Sequence, residues 1–333
     1  MIKIGKESYL FDNVYIKTTS TISGKLEQLG PVGGFIDKCF SNNYCNAKSW
    51  EKAEMELLDS AVKLVLEKGN LHHDDIDLFI GGDLNNQIVI NNYVLKNYPF
   101  PLLGIYSACA TLCEGLFIGA TLIDNVNIDN VIVATSSHNA TSERQFRNPT
   151  EYGGQKSLTT TFTTTGAGAC LLTNKPTNIK ITKATIGSIV DSTILDASDM
   201  GRAMAPACAD TLIKHLRNFK ENPSDYDLIV SGDLSKFGKE TFLKILKEHN
   251  IELNNYEDSG LMLFDIFHQP VFSGGSGPAC IALVSLGYLY KMMTKGAYNK
   301  ILLIATGALL NPIMTYQKET IPSIAHAIVL ERV

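Results

Sequence analysis

The sequence contains no hydrophobic run long enough to cross a membrane. Its longest apolar stretch, residues 279–290, covers 12 residues, whereas a spanning helix needs about 20. The N-terminal segment MIKIGKESYLFDN also lacks the apolar core of a signal peptide. We therefore expect a cytoplasmic chain that associates with a membrane only peripherally, through other proteins.

Positive charge is also scarce. The 29 Lys and Arg side chains are outnumbered by 34 Asp and Glu, and the net charge is −5. No basic run is interleaved with aromatic residues. Such a chain has no general attraction for a polyanion, so we exclude nucleic acid as a partner.

The seven cysteines are odd in number and form no CxxC pair. This pattern indicates neither a disulfide framework nor a zinc site, and we expect most of the thiols to be reduced and buried. The glycine-rich segment GGSGPAC (274–280) lacks the third glycine of a dinucleotide-binding fingerprint, and no GxSxG motif is present.

What the sequence does contain is an internal repeat. The segment DLFIGGDL (77–84) returns as DLIVSGDL (227–234), and in both copies a short apolar strand ends in a Gly-Asp turn. Two further matches keep the same order: Cys109 and VIVATS (131–136) match Cys280 and ILLIATG (301–307), and GAGACLLT (166–173) matches IAHAIVLE (324–331). We infer two copies of one α/β unit, residues 1–175 and 176–333.

Helical and strand patterns alternate within each unit, which predicts mainly parallel sheets with helices packed against them. The segment 138–165 is different, because it is rich in Thr, Ser, Arg and Gly and has no apolar period. We interpret it as a long excursion from the first unit that covers a site or an interface.

Cys109 lies between an apolar strand-like run and a helical segment, in GIYSACATLCEGLF (104–117). Free N–H groups and partial positive charge at a helix N-terminus lower the pKa of a thiol and can hold a carboxylate. The position is therefore compatible with a nucleophile, with the floor of a binding pocket, or with a small buried side chain.

His268 directly follows an apolar run, residues 261–267, that we interpret as a strand. In a duplicated fold, the end of this strand faces the equivalent strand end of the other unit. His268 is therefore predicted to meet Cys109 across the pseudo-two-fold axis. A histidine that only caps the strand is the alternative.

Cys109 in SACAT, His268 in HQP, the glycine turn at 274–275 and the repeat together resemble the thiolase and ketoacyl-synthase superfamily. The resemblance covers essentially the whole chain. It implies a thiolase-like fold with duplicated halves in five αβαβα layers, and a homodimer paired through the strand at 101–106. It also implies a cysteine nucleophile at the helix start with a histidine opposite.

The chain departs from condensing enzymes at the group that stabilises an enolate. Gly274 and Gly275 occupy the turn where those enzymes carry Asn or a second His, and the loop 305–312 lacks the second cysteine of thiolases. Carbon–carbon condensation is therefore doubtful. The enzyme hypothesis that remains is an acyl-CoA-dependent acyltransferase or condensing enzyme using Cys109, and a structural assembly subunit is a third alternative.

Four loop segments more narrowly resemble the stage V sporulation AD family of spore-forming Firmicutes: SSHNATSERQFRNPTEYGGQK (136–156), TTTGAGA (163–169), DMGRAMAPA (199–207) and IPSIAHAIVLE (321–331). This resemblance implies a non-catalytic protein that binds dipicolinic acid (pyridine-2,6-dicarboxylate), with or without Ca²⁺. It implies uptake of the ligand into the developing spore, beside membrane proteins of the same system at the spore inner membrane. We expect no dedicated cofactor or metal site, since calcium would arrive with the ligand's own oxygens.

A flat aromatic dianion needs amide or cationic donors for its carboxylates and an apolar slot for its ring. His326 interrupts an apolar strand where the first unit has Gly168, so the repeat predicts this histidine at the cleft, with a satisfied core histidine as the alternative. The ligand-binding candidates are Cys109, His268, His326, His138, Arg144, Thr165 and Ser276.

The arginines of the excursion have a second interpretation. Arg144 and Arg147 lie close in sequence to Glu143 and Glu151, and local ion pairs explain them without a ligand. Arg202, in DMGRAMAPA, is a similar case.

Overall fold

The computed structural model describes residues 1–126 and 128–333. The strands are β1 (Ile2–Ile4), β2 (Ser8–Leu10), β3 (Tyr15–Ser23), β4 (Lys38–Cys39), β5 (Leu78–Gly82), β6 (Leu102–Gly104), β7 (Asn130–Ser137), β8 (Phe162–Thr163), β9 (Gly166–Thr173), β10 (Ile179–Ile186), β11 (Val190–Asp191), β12 (Leu228–Ser231), β13 (Tyr256–Asp258), β14 (Gly275–Ser276), β15 (Lys300–Ala308) and β16 (Pro322–Arg332). The helices are α1 (Lys25–Gln28), α2 (Trp50–Gly69), α3 (Val89–Leu95), α4 (Thr111–Asn125), α5 (Asn139–Phe146), α6 (Met200–Phe219), α7 (Ser235–Glu248), α8 (Ser259–Leu263), α9 (Pro278–Ala282), α10 (Tyr290–Thr294) and α11 (Pro312–Tyr316).

The main strands form two sheets with the same internal order. The first runs β3-β9-β7-β5-β6 and the second β10-β16-β15-β12-β13, and the pair Tyr15–Lys180 connects β3 to β10. In each sheet the outer three strands are parallel, whereas the inner ones pair antiparallel. The prediction of mainly parallel sheets therefore holds only for the outer strands. The duplication predicted by the repeat is visible as this matching strand order.

The two sheets and their helices form the five layers expected of a thiolase-like fold. Strand residues alternate between two faces. On the first sheet, Phe79 packs with α2 and α3 on the outside, while Ile80 packs with the central helices. On the second sheet, Ile229 packs with α6 and α7, while Val230 faces the centre. The central layer therefore shares one core with both sheets.

The central layer contains α4 and a long helix in which the π-helical segment Leu283–Leu289 joins α9 to α10. Freed carbonyl groups of such a segment need other donors. The Thr19 hydroxyl donates to the Leu286 carbonyl at 2.7 Å, which ties this segment to β3. Within residues 1–126 and 128–333, no helix combines the length and apolar character needed to cross a membrane.

One local prediction was wrong. Residues 261–267 do not form a strand, because the Asp258 side chain caps Gly260 N–H at 3.0 Å and starts the short helix α8. An apolar run of this length does not distinguish a strand from a buried helix by periodicity. The excursion 138–165 lies between β7 and β9 and contains the regular elements α5 and β8.

The N-terminal hairpin β1–β2 adds to the second sheet although it belongs to the first residues of the chain. Strand β2 pairs antiparallel with β10, and the Ser8 and Thr185 hydroxyls are 2.8 Å apart. Thr185 in turn contacts the His215 ring at 2.8 Å. The hairpin thereby joins a buried polar chain that runs into α6.

Candidate functional site

Cys109 lies in the tight turn Ala108–Ala110 that leads directly into α4, as the sequence predicted. Strand β15 passes so close to this turn that a Cβ at Gly307 would lie 2.2 Å from the Ser107 carbonyl oxygen. Only glycine fits at that approach. The cysteine is buried, with 7% of its surface exposed.

The acidic group next to the thiol is Asp233, at the end of β12. This carboxylate lies close enough to Cys109 for its charge to influence the pKa of the thiol. It accepts hydrogen bonds from the Gly277 N–H and the Thr306 hydroxyl, both at 2.8 Å. Burial raises the pKa of Asp233 to about 6, and these hydrogen bonds limit the rise.

The same surroundings hold Cys109 in its neutral form. Burial raises the pKa of the thiol well above its usual value, and the neighbouring Asp233 charge raises it further. A thiolate is the nucleophilic form of cysteine. The helix N-terminus therefore does not bring the pKa of this thiol below its usual value.

His268 is not among the described residues that line the space at Cys109. Its side chain is 82% exposed, and its Nδ1 lies 2.6 Å from Asp265 Oδ2 in the turn after α8. His268 was predicted at Cys109 because residues 261–267 were interpreted as a strand. In the structure, the turn after α8 directs this histidine to the surface. Asp233 occupies the place beside the thiol that His268 was predicted to take.

The other two histidine candidates have structural partners. His138 caps α5, where its Nδ1 accepts from Ala140 N–H at 3.1 Å and its Nε2 lies 2.7 Å from the Asn43 carbonyl oxygen. His326 accepts from Gly187 N–H at 3.2 Å, and burial lowers its pKa to about 4. His326 fits the satisfied-histidine alternative, and neither histidine is among the described residues at the Cys109 cavity.

The remaining candidates divide between the cavity and its surroundings. Arg144 is half-exposed and forms an ion pair with Glu51 rather than with Glu143 or Glu151. The Thr165 hydroxyl accepts from Asn139 N–H at 3.1 Å and is buried. Ser276 does line the cavity, through its pairing with Thr163 in β14 and β8.

The cavity at Cys109 is small, with a volume of about 20 Å³, room for about one water molecule. We call it the inner cavity. Its lining is Leu84, Tyr106, Ala108, Cys109, Phe146, Arg147, Thr163, Met200, Ser276, Ala308 and Leu310. Phe146 and Arg147 at the end of α5 also line a neighbouring space of about 550 Å³. We call that space the outer cleft, and its lining comes from residues 143–160, 196–198 and 312–316.

Arg147 is the cation shared by both spaces. Its Nε and Nη2 donate to Glu143 at 3.2 and 2.7 Å, which confirms the predicted pairing for this arginine. Its Nη1 is buried and has no hydrogen-bond partner in the described part of the chain. Arg202 likewise pairs locally, with Asp199 at 2.6 Å. No sequence pattern distinguished Arg147 from these other arginines.

For Asp233, in contrast, the sequence does contain a relevant pattern. It belongs to the repeated Gly-Asp turn, where Asp83 is its counterpart. Both aspartates are buried at the ends of equivalent strands, but only Asp233 lies beside a cysteine, and Asp83 instead accepts from Asn85 and Asn91. The repeat therefore draws attention to residue 233 but does not indicate that it lies beside Cys109.

Comparison with known proteins gives a consistent family and fold. The family model described as stage V sporulation protein AD (SpoVAD) matches residues 5–331. The stage V sporulation protein AD of Bacillus subtilis (strain 168) is 45% identical over 330 residues, covering 98% of this chain and 97% of that protein.

Among solved structures, two point variants of Xanthomonas campestris OleA match the thiolase-like fold. A glutamate-to-glutamine variant has a TM-score of 0.62 at 16% identity, and the match covers 97% of this chain and 99% of that one. A histidine-to-asparagine variant has a TM-score of 0.64 at 15% identity, and the match covers 96% and 99%. At such low identity these matches establish the fold alone.

Proposed function

The chain belongs to the stage V sporulation protein AD (SpoVAD) family, and from this premise we propose that it binds dipicolinate without catalysing a reaction. In this proposal the protein serves uptake of dipicolinate into the developing spore. The ligand enters alone or with Ca²⁺, and the calcium is held mainly by the ligand's own oxygens. Membrane proteins of the same sporulation system hold the protein peripherally at the spore inner membrane.

The pairing of Cys109 with Asp233 is the observation that carries the non-catalytic part of the proposal. A cysteine attacks an acyl group as the thiolate. Burial and the neighbouring Asp233 charge raise the pKa of the Cys109 thiol, which favours its neutral form. The described residues that line the inner cavity include no histidine that could take the proton.

Arg147 supports an anionic ligand. A buried guanidinium nitrogen without an acceptor is costly, and a carboxylate is the acceptor that fits its planar donors. Arg147 is a lining residue of both the inner cavity and the outer cleft.

We also propose a homodimer paired through β6. This strand ends the first sheet, and its Leu102 and Leu103 are 36% and 42% exposed. The equivalent edge β13 of the second sheet is more buried at Tyr256. An exposed apolar edge strand invites pairing with another strand, and a second copy of β6 supplies one.

The test is calorimetric titration of the full-length protein with pyridine-2,6-dicarboxylate, with and without calcium. In parallel, the protein is incubated with acyl-CoA and its intact mass is measured. We expect saturable binding and no acyl adduct. An adduct on Cys109 that turns over would overturn the binding proposal and favour an acyl-CoA-dependent acyltransferase. Absence of dipicolinate binding both with and without calcium would favour the third alternative, a structural assembly subunit.

A further inference from the structure

Three large apolar side chains project from two loops of the chain. Leu29, in the loop after α1, is 68% exposed. Phe267 and Phe272, in the loop after α8, are 86% and 38% exposed. We call these three residues the apolar tip. Single exposed apolar side chains are ordinary on a protein surface, but several that come together indicate an interaction surface.

Contacts between the two loops hold the apolar tip together. The Gln269 side chain donates from Nε2 to the Leu26 carbonyl oxygen at 2.8 Å. The loop after α1 also passes close to the end of α8, since a Cβ at Gly30 would lie 1.9 Å from the Leu263 carbonyl oxygen. Only glycine allows this approach. The two loops are therefore fixed against each other.

The turn that carries Phe267 is held by its own hydrogen bonds. Asp265 Oδ1 accepts from Phe267 N–H at 2.9 Å, and Asp265 Oδ2 lies 2.6 Å from His268 Nδ1. Gln269 Oε1 in turn accepts from Asp265 N–H at 2.8 Å. None of these contacts involves the phenyl ring, which the turn directs into solvent.

Positive charge flanks the apolar tip. Lys25, the first residue of α1, is exposed. Lys236 is also exposed, and its N–H donates to the Ser273 carbonyl oxygen at 2.9 Å, beside the tip. The acidic groups of the two loops face inward, because Glu27 is buried and both oxygens of Asp265 contact its own turn. This surface is therefore locally basic on a chain whose net charge is −5.

We propose that the apolar tip inserts into the headgroup region of an anionic phospholipid bilayer, with Lys25 and Lys236 against the lipid phosphates. The inference goes beyond the proposed function, because this contact needs neither dipicolinate nor a membrane protein. Apolar side chains enter the bilayer interface, and each basic side chain near an anionic leaflet adds attraction. The chain thus contacts the membrane itself, whereas the sequence predicted attachment only through other proteins.

A lipid surface fits the apolar tip better than a second protein surface. Three side chains cannot supply the roughly 800 Å² that each partner contributes to a stable protein interface. Two copies paired through their tips would also bring like charges together at Lys25 and Lys236. A bilayer supplies opposite charge and an apolar phase that adapts to the shape of the tip.

The test is cosedimentation of the full-length protein with vesicles of equal parts phosphatidylglycerol and phosphatidylethanolamine. Vesicles of phosphatidylcholine alone should bind several-fold more weakly. Phe267→Ser should weaken binding to the anionic vesicles roughly tenfold, because a phenyl ring no longer leaves water. Lys236→Gln should weaken it roughly fivefold. Tyr316→Ser and Lys63→Gln are the matched controls, since they remove highly exposed side chains outside the tip, and their affinities should stay within about twofold.

Insertion itself has a fluorescence readout. The sequence contains one tryptophan, Trp50, which stacks on Tyr44 and does not belong to the apolar tip. In the double variant Trp50→Phe with Phe267→Trp, the introduced indole is therefore the single reporter. Lipids brominated in their acyl chains should quench its emission, while the emission of Trp50 in the wild-type protein should not change.

Absence of wild-type binding to the anionic vesicles would overturn the inference, and so would unchanged affinity in both Phe267→Ser and Lys236→Gln. Binding to native spore membranes without binding to the vesicles would assign the tip to a protein partner and overturn the lipid contact. The substituted side chains are exposed, so the thermal midpoints should match that of the wild-type protein. The vesicle measurements contain no dipicolinate, so their failure is distinct from failure of the proposed function.

Discussion

The Cys109 thiol and the Asp233 carboxylate are both buried, and the aspartate lies close enough for its charge to raise the pKa of the thiol. The cysteine lies in the turn that leads into α4, and the aspartate lies two residues after the end of β12. Gly277 and Thr306 hold the aspartate through the hydrogen bonds described above. Burial and the aspartate charge together favour the neutral form of the thiol at this position.

The first prediction concerns thiol reactivity. At pH 8, iodoacetamide should label Cys39, the half-exposed cysteine, well before Cys109. Asp233→Asn removes the neighbouring charge and should speed labelling of Cys109, by roughly tenfold for each unit by which its pKa falls. Peptide mass spectrometry measures both rates, and the urea-unfolded protein is the control for complete labelling. Labelling of native Cys109 as fast as Cys39 would contradict the neutral thiol.

Removal of His268 should have little effect. His268→Ala deletes an exposed side chain whose partner, Asp265, lies three residues away. Surface ion pairs contribute little, so the thermal midpoint should stay within about 2 °C of the wild-type value. Dipicolinate affinity, measured by calorimetry, should not change. A loss of binding with an unchanged midpoint would show that the histidine contacts the ligand.

The buried Glu54 should make stability depend on pH. Burial and then the nearby Asp83 charge raise its pKa to about 8, from an ordinary value of 4.5. A folded pKa above the unfolded one means that this group's contribution is greatest below pH 4.5 and is lost as the pH rises to about 8. Glu54→Gln stays neutral throughout, so its thermal midpoint relative to wild type should rise by about 2–4 °C between pH 6 and pH 9.

Glu56→Gln provides the control for that measurement. Glu56 lies on the same helix but is exposed. Its substitution should change the midpoint by a similar small amount at every pH. A pH-independent difference for Glu54→Gln as well would mean that Glu54 ionises normally in the folded protein.

Tyr226 should matter for stability more than an exposed tyrosine. Its buried hydroxyl lies 2.9 Å from His215 Nε2 and donates to Glu221 at 2.5 Å. Tyr226→Phe leaves the histidine nitrogen without that partner and should lower the free energy of unfolding by about 1–2 kcal/mol in urea titrations. Tyr93→Phe, at a 53% exposed position, should cost much less. Equal effects would argue against the buried polar chain.

The proposed dimer has a direct test at β6. Leu103→Asp places a charge on the exposed edge of the first sheet and should convert a dimer to a monomer in sedimentation velocity. Leu29→Asp, at a 68% exposed position outside this edge, is the matched control and should leave the dimer intact. A wild-type monomer at micromolar concentration would contradict the proposal.

The sequence predicted the architecture better than the site. The repeat at 77–84 and 227–234 correctly indicated matching halves, because strand and helix patterns extend over many residues and average out local ambiguity. The run 261–267 is too short for such averaging. Its wrong assignment as a strand led to a wrong predicted position for His268. Arg147 could not be identified because its distinguishing property, an unpartnered buried nitrogen, depends on side chains that only the folded chain brings together.

The hairpin at the start of the chain has a consequence for how the protein is made. Strand β2 pairs with β10, and the Phe11 N–H donates to the Thr182 carbonyl at 2.9 Å, so the hairpin has no sheet to join until more than half of the chain has left the ribosome. Non-local pairings of this kind slow folding and leave apolar strands exposed in the meantime. The hairpin therefore stays without its partner strand while the first half of the chain is synthesised, and it can join the second sheet only after β10 has emerged.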